Sequence, residues 1–315
     1  MVFMGVVFWS LIAVGVLTIL TTLKGIAKPW EHMCSFMPES LPDDEKEVKR
    51  LTLFWWMLQC TYAMIGIWMI CTAFACPSPT LALFPAAWYF VRCALGLYMM
   101  YGPPSQYMGV SLKAVYPLLI LTVVLVVLPI ISVVVDNKDP DYVAATSEMK
   151  ALSDARIDET GPFVYFMAGV FGFFVLANSP AVLAPAMALE SYFASESSKF
   201  TQMKMAELMR INANSWVFQA VANLGSMMMA PDLSIYGPMW FVFNMYFAGL
   251  FVFNIVNAAD YGFKVPPMLT YLLTYLLTYL LTYLPTYGFK VPPMLFFLVV
   301  VTFSSGGLLV GLLMS

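Results

Sequence analysis

A single arginine stands in the middle of a long apolar run. Arg92 lies within the apolar segment 81–101, and all 18 acidic residues fall between such segments or at their ends. An unpaired guanidinium at that depth in a bilayer costs several kcal/mol, so it marks a candidate functional site. We therefore predict a partner other than a carboxylate of this chain. The options are a main-chain carbonyl, Gln59 or Thr61 on the preceding run, a lipid or pigment head group, or an acid of a neighbouring subunit.

A second polar feature is a stripe on one helical face. Its residues follow one another at i, i+3, i+7 and i+11, and a further amide lies on the next apolar run. Amides in hydrocarbon seek partners, so the stripe faces another helix or a ligand, and helix packing is the commoner use. The predicted polar helix-packing seam consists of Asn212, Ser215, Gln219, Asn223 and Asn244.

Other chemistry is poorly represented in the chain. The only histidine, His32, follows Glu31 in a polar connection and is expected at the surface. The five cysteines form no C-x-x-C pair, so we predict no metal or haem site and no disulfide framework. A net charge of −3 excludes nucleic acid as a partner. We assign no catalytic residue. The sequence identifies no cofactor and is compatible with a bound lipid or pigment.

The elements that position these residues are membrane helices. Hydrophobic residues make up 61% of the 315 residues and charged residues 10%, against about 45–50% and about 25% in soluble domains. Runs of roughly 20 apolar residues predict membrane-spanning helices. They occupy 2–23, 53–76, 81–101, 115–135, 162–187, 211–230, 236–257, and at least one segment between 266 and 314.

Basic residues predict the orientation of these spans. The connections 24–52, 102–114, 188–210 and 258–265 carry ten of them, whereas the loop 136–161 on the opposite side carries three. Loops on the cytoplasmic face of a membrane, or on its organellar equivalent, are enriched in Lys and Arg. The N-terminus is therefore predicted on the side opposite the basic loops. An organellar membrane, thylakoid or mitochondrial inner, is the favoured location.

The chain reads as a tandem repeat. Pro29 and Pro185 are 156 residues apart, and Trp88 and Trp240 are 152 apart, in similar local sequence. Four spans per unit is an even number, so the two repeats run in parallel. We predict an all-α polytopic membrane protein with a first four-helix repeat at 1–135, an acidic extramembrane linker at 136–161 and a second repeat at 162–315.

A smaller duplication lies near the C-terminus. The nine residues from Tyr261 recur verbatim from Tyr287, which places a 26-residue duplication within 261–295. A continuous helix over 266–314 would be about 70 Å long, twice the thickness of a bilayer, so it must break near Pro285. The segment 267–284 is either a ninth span or an interfacial helix, which gives eight to nine spans with an extra inserted helix.

Two short patterns carry a resemblance to a known family. The sixth run is entered through Glu207, Arg210 and Asn214 in the spacing Glu-x-x-Arg-x-x-x-Asn, and the third run contains Arg92 followed by Tyr98. With four spans in about 155 residues, each half resembles the membrane-associated proteins in eicosanoid and glutathione metabolism. The resemblance implies that the first pattern and Arg92 face glutathione.

The chain departs from that family at several points. Leu95 stands where the third helix often has His, Tyr98 falls one residue short of the family's Tyr, and Glu207 is displaced by one residue. Each half keeps only one of the two patterns, so intact catalysis is not expected. The candidate ligand- or partner-binding residues are Arg92, Tyr98, Glu207, Arg210 and Asn214.

Three classes of function remain. The leading prediction is a non-catalytic accessory subunit of a large energy-converting complex of photosystem or respiratory type, whose partners are the lipid bilayer and other membrane subunits. The second is a glutathione-dependent membrane transferase or isomerase. The third is a small-solute transporter, for which Asn178-Ser179-Pro180 is the one helix interruption of the expected kind.

Overall fold

The computed structural model describes residues 5–38, 42, 44–192, 198–236, 239 and 246. These residues form α-helices, a short 3₁₀ turn and the connections between them, without a β-strand in the described ranges. The α-helices are α1 (Val6–Ala27), α2 (Pro29–Phe36), α3 (Glu45–Ala75), α4 (Pro79–Tyr101), α5 (Ser105–Met108), α6 (Leu112–Asp136), α7 (Pro140–Leu183), α8 (Pro185–Tyr192) and α9 (Lys199–Met229).

Four of these helices are long and apolar enough to cross a membrane. They are α1, α3, α4 and α6, which have 22 to 31 residues each. The most apolar 18-residue stretch of each helix has a mean hydropathy of 1.4 to 3.3. They coincide with the first four predicted spans. The predicted spans 162–187 and 211–230 fall within α7 to α9, and α9 does not reach the apolar content of the other four. The span predicted from 266, the duplication within 261–295 and most of 236–257 lie outside the described residues.

Helices α3, α4, α7 and α9 begin where the sequence offers a capping side chain. Asp44 accepts a hydrogen bond from Lys46 N, and Ser78 from Leu81 N. Asp139 caps α7 and Ser198 caps α9 in the same way. A side-chain oxygen at this position satisfies one of the helix's unpaired N–H groups. The four boundaries are therefore set by local sequence.

Helices α1 and α3 are antiparallel and unusually close. The ring of Phe8 contacts that of Phe74 at one end, and Gly25 faces Gln59 at the other. Between these points, a Cβ atom on Gly15 or on Gly66 would lie 2.7–2.8 Å from the other glycine's carbonyl oxygen. Two facing glycines thus bring the helix backbones into contact, as small residues do in membrane bundles.

Helix α6 completes the group of four apolar helices, α1, α3, α4 and α6. It runs antiparallel to α4, where Tyr101 and Tyr116 share a hydrogen bond of 2.8 Å. At its other end Asp136 accepts hydrogen bonds from Val6 N (3.0 Å) and Val7 N (2.7 Å). The last residue of α6 therefore caps the first turn of α1.

Most of the predicted linker 136–161 is helical. From Pro140 the chain continues in one helix of 44 residues into the fifth predicted span. Asp139 at the N-cap, Pro140 at the first position and the helix-forming residues that follow favour this structure. The placement of this segment outside the membrane stays a prediction.

Helix α9 lies beside α3 and runs in the same direction. Asn212 Nδ2 donates to Phe54 O over 3.1 Å. Trp68 Nε1 donates to Ser226 Oγ over 2.9 Å, at the same sequence separation of 158 residues. A constant separation along the contact means that the two helices are parallel. Fully buried aromatic residues of α3 and α4, including Trp68, Trp88 and Tyr89, fill the core around this pair.

The same series of elements occurs twice in the described chain. A long helix ends at Lys28 (φ −138°, ψ 67°) and another ends at Ala184 (φ −133°, ψ 63°). Each is followed by an eight-residue helix that starts with proline, α2 and α8, and then by a 31-residue helix, α3 and α9. The two parallel helices, α3 and α9, are thus counterparts in this series.

Candidate functional site

A cavity of about 150 Å³ lies among the four apolar helices. Its walls come mainly from α3, α4 and α6, with contributions from α1, α2 and α9. Most lining residues are apolar, such as Leu95 and Leu119. The polar minority includes Arg92, Gln59 and His32. A largely apolar cavity with a few convergent polar groups is the usual form of a small-molecule site.

Aromatic rings contact the guanidinium of Arg92. Its central carbon lies 4.2 Å from the ring centroid of Tyr62, 5.6 Å from Trp88 and 5.8 Å from Tyr89. These distances are those of cation–π contacts. Within the described ranges, no carboxylate lies within ion-pair distance of Arg92.

The two polar side chains proposed from the sequence as partners for Arg92 differ in their surroundings. Thr61 donates its hydroxyl hydrogen to Met57 O and accepts from Trp216 Nε1. Gln59 lines the same cavity as Arg92. The aromatic contacts were missed, although Trp88 and Tyr89 precede Arg92 by one helical turn, which is a detectable signal. Tyr62 is on another helix and leaves no such signal.

His32 is half-buried at the cavity wall and not a fully exposed surface residue as expected. Trp55 Nε1 donates a hydrogen bond of 3.2 Å to His32 Nδ1. The imidazole ring also meets Phe36 edge-on, with ring centroids 5.0 Å apart. Burial lowers the pKa of His32 below its usual value, and the positive charge of Lys24 lowers it further. The neutral ring is therefore favoured here.

Three of the predicted binding residues form a separate cluster. Arg210 and Glu207 make an ion pair of 2.9 Å, and Tyr107 donates its hydroxyl hydrogen to Glu207 Oε1 over 3.1 Å. The Arg210 guanidinium lies 5.4 Å from the ring centroid of Tyr98. Burial, and then the charge of Glu207, raises the pKa of Tyr107. The cluster thus combines Tyr98, Glu207 and Arg210, whereas Arg92 lines the cavity and Asn214 belongs to neither group.

The predicted polar seam faces inward along α9. Asn212, Ser215, Gln219 and Asn223 are all buried. Asn212 reaches α3 through Phe54 O, Ser215 donates to Ile211 O, and Gln219 Nε2 donates to Asn223 Oδ1 over 3.2 Å. The fifth seam residue, Asn244, lies outside the described residues.

A further buried cluster was not foreseen. The Glu47 carboxylate accepts hydrogen bonds from Ser198 N, Ser198 Oγ and Thr201 Oγ1, at the start of α9. Lys204, one turn further on, is also buried. Burial lowers the pKa of Lys204 to about 8, although Glu47 acts in the opposite direction. Glu47 lies in a charged run that resembles a solvated connection, so no local pattern predicts its burial.

None of the clusters described above is arranged as a metal site. Over the described part of the chain, no three His, Cys, Asp or Glu side chains are grouped closely enough to hold a metal ion. In comparisons with known proteins, no family model, no curated protein and no solved structure matches the chain.

Proposed function

We propose that this chain is a non-catalytic, membrane-embedded subunit that supports a larger membrane complex. The observation that carries the proposal is the use of its internal polar side chains. Asn212, Trp68 and Trp216 connect α9 to α3 through hydrogen bonds. Polar groups committed to helix–helix contacts stabilise a fixed bundle, whereas a transport path needs polar groups that face a solute.

The helix interruption required by the transporter alternative also gains no support. The chain is helical through residues 178–180, and Asn178 Nδ2 and Ser179 Oγ donate to the carbonyls of Phe174 and Val175. These bonds lie within one helix and leave no unwound segment there for substrate. The helix ends later, at Ala184.

The outer surface is consistent with a subunit in a bilayer. In the most apolar 18-residue stretches of α4 and α6, only 33% and 28% of the stretch is buried within the chain. Lipid or neighbouring subunits can cover such faces. The finer predictions belong to this proposal: two parallel four-helix repeats, a complex of energy-converting type, and an N-terminus opposite the basic loops. The repeated lengths of α2 and α8, and of α3 and α9, support the duplication.

A glutathione-dependent enzyme is the second candidate, because one observation favours it. Tyr98, Glu207 and Arg210, which the family resemblance selected, lie together in one cluster. Against it, the charge of Arg210 is already balanced by Glu207. A tripeptide with two carboxylates needs several uncommitted cations.

The test is purification of the tagged chain from its native membrane in a mild detergent. We expect it in one discrete large assembly on a native gel, at fixed stoichiometry with the same partner subunits by mass spectrometry. The purified chain should show no saturable binding of glutathione. Isolation as a free oligomer that binds glutathione, with loss of binding in Arg210→Leu and not in the exposed control Lys199→Leu, would favour the enzyme instead.

A further inference from the structure

We propose that the Arg92 cavity binds a single-chain aliphatic carboxylate, such as a fatty acid. The carboxylate meets Arg92, and the first methylenes lie against the apolar cavity wall. This site is separate from the proposed structural role and does not rest on it. The argument uses the charge, the shape and the depth of the cavity.

The charge of Arg92 is the first step. Its guanidinium lines the cavity and contacts three aromatic rings, and among the described residues no acid neutralises it. Cation–π contacts leave the N–H groups at the guanidinium edge available for an acceptor. A carboxylate matches these donors in a planar, two-bond geometry. The cavity therefore selects an anion with at least one carboxylate-like edge.

Depth and wall chemistry determine the rest of the ligand. Arg92 is nine residues from the end of α4 at Tyr101, or about 13 Å along the helix, within hydrocarbon depth. A small hydrated anion partitions poorly into such a place unless it carries an apolar body. Leu95, Leu118 and Leu119 provide an apolar wall for that body.

The cavity has room for a carboxylate and the first methylenes of a chain. Its volume is about 150 Å³, whereas one water needs roughly 10–15 Å³ on the same measure. The rest of the chain would follow the exposed apolar faces of α4 and α6, where Phe90 and Ile120 are 65% and 67% exposed.

The experiment is native mass spectrometry of the purified full-length chain in an uncharged detergent, with palmitate as the probe. We expect one saturable palmitate adduct. Methyl palmitate keeps the chain and loses the charge, so its binding should be at least tenfold weaker. Phosphatidic acid, which shares the anionic head and has two chains, should give no saturable adduct. A preference for phosphatidic acid would overturn the proposal.

Variants locate the site. Arg92→Leu should weaken palmitate binding at least tenfold, and Arg92→Lys, which keeps the charge but not the two-bond geometry, should give a smaller but measurable loss. Gly96→Leu keeps Arg92 and fills the cavity, because a Cβ at Gly96 points at Leu119 from 3.6 Å, so a tenfold loss is expected there too. Gly169→Leu is the matched control, since a Cβ at Gly169 meets nothing within 4 Å.

The experiment remains decisive if one of these variants fails to fold. Gly96→Leu and the methyl ester test the cavity and the charge without altering Arg92. Palmitate binding that is unchanged in Gly96→Leu, or equal binding of the methyl ester, would overturn the proposal.

Discussion

Lys204 shows how burial changes a single charge. Its side chain is 2% exposed at the start of α9, near the Glu47 carboxylate. Loss of hydration disfavours the ammonium form more than Glu47 favours it, so the pKa falls to about 8 from 10.5. Folding therefore shifts this group toward its neutral form. Between these two pKa values the unfolded chain binds one more proton at this site than the folded chain does.

The consequence is a stability that rises with pH. Because the unfolded state binds the extra proton, the free energy of unfolding should increase from pH 8 toward pH 10.5. Relative to Lys204→Met, the native chain should gain roughly 1–3 kcal/mol over this interval. Denaturant unfolding in detergent at pH 7.5 and pH 10 measures the difference. Lys199→Met, at an exposed position of the same helix, is the control and should behave like the native chain. Parallel pH profiles for the native chain and Lys204→Met would contradict the assignment.

At the scale of elements, the contact of α1 with α3 depends on the absence of side chains. A Cβ on Gly66 would lie 2.8 Å from Gly15 O, and backbone atoms cannot move aside as a flexible side chain can. Gly66→Ala should therefore destabilise the chain by about 2 kcal/mol or more, despite alanine's higher helix propensity. Gly169→Ala, with open space around it, should be neutral or slightly stabilising. The free energy of unfolding in detergent measures both, and equal effects would refute close packing as the cause.

The cap of α1 by α6 is a second contact between elements. Asp136 accepts from Val6 N and Val7 N and lies at the positive end of the α1 dipole. Asp136→Ala should lower the free energy of unfolding by roughly 1–2 kcal/mol, whereas Asp136→Asn, which keeps one acceptor, should lose less. Asp154→Ala at an exposed position is the control. A loss in Asp154→Ala as large as in Asp136→Ala would contradict the capping role.

The sequence predicts the elements better than their contacts. Hydropathy located the four membrane helices, because the bilayer fixes their length. The sequence predicts 136–161 as an acidic linker, and Asp139 at the N-cap with Pro140 at the first helical position explains why most of it is helical. The residues of the site are harder to predict, since the cavity brings together residues as far apart in sequence as Thr21 and Ile211. Arg92 stood out as a charge in an apolar run, but Tyr62 and Glu47 depend on helix packing that no local pattern encodes.

At the scale of the molecule, the hydrogen bonds between α3 and α9 join the two halves of the chain. Tyr142 OH also donates to Pro77 O, and Ser198 Oγ donates to Glu47 Oε2 over 3.1 Å. Most of these bonds are buried or partly buried, where an unmade bond is costly. The halves should therefore associate without a covalent connection.

A divided chain tests this association. Residues 1–137 and 138–315, expressed as separate polypeptides, should co-purify at a one-to-one ratio in mild detergent. Trp68→Phe with Trp216→Phe removes two bonds between the halves, each worth about 1 kcal/mol, and should reduce recovery several-fold. Trp9→Phe, at a ring that is 59% exposed, should leave recovery unchanged. Separate elution of the two unaltered polypeptides would show that the linkage is needed.

The capping bond between Asp136 and α1 also has a consequence for biogenesis. The carboxylate that completes the first turn of α1 is 129 residues downstream of Val7. At about 5–20 residues per second, a ribosome synthesises it roughly 6 to 26 s after that turn. During this interval α1 is in or near the bilayer with N–H groups unsatisfied by the chain, and water or the insertion machinery must serve them. Helix α1 is therefore synthesised before the other three apolar helices but is among the last of them to be completed, because α6 must be in place to cap it.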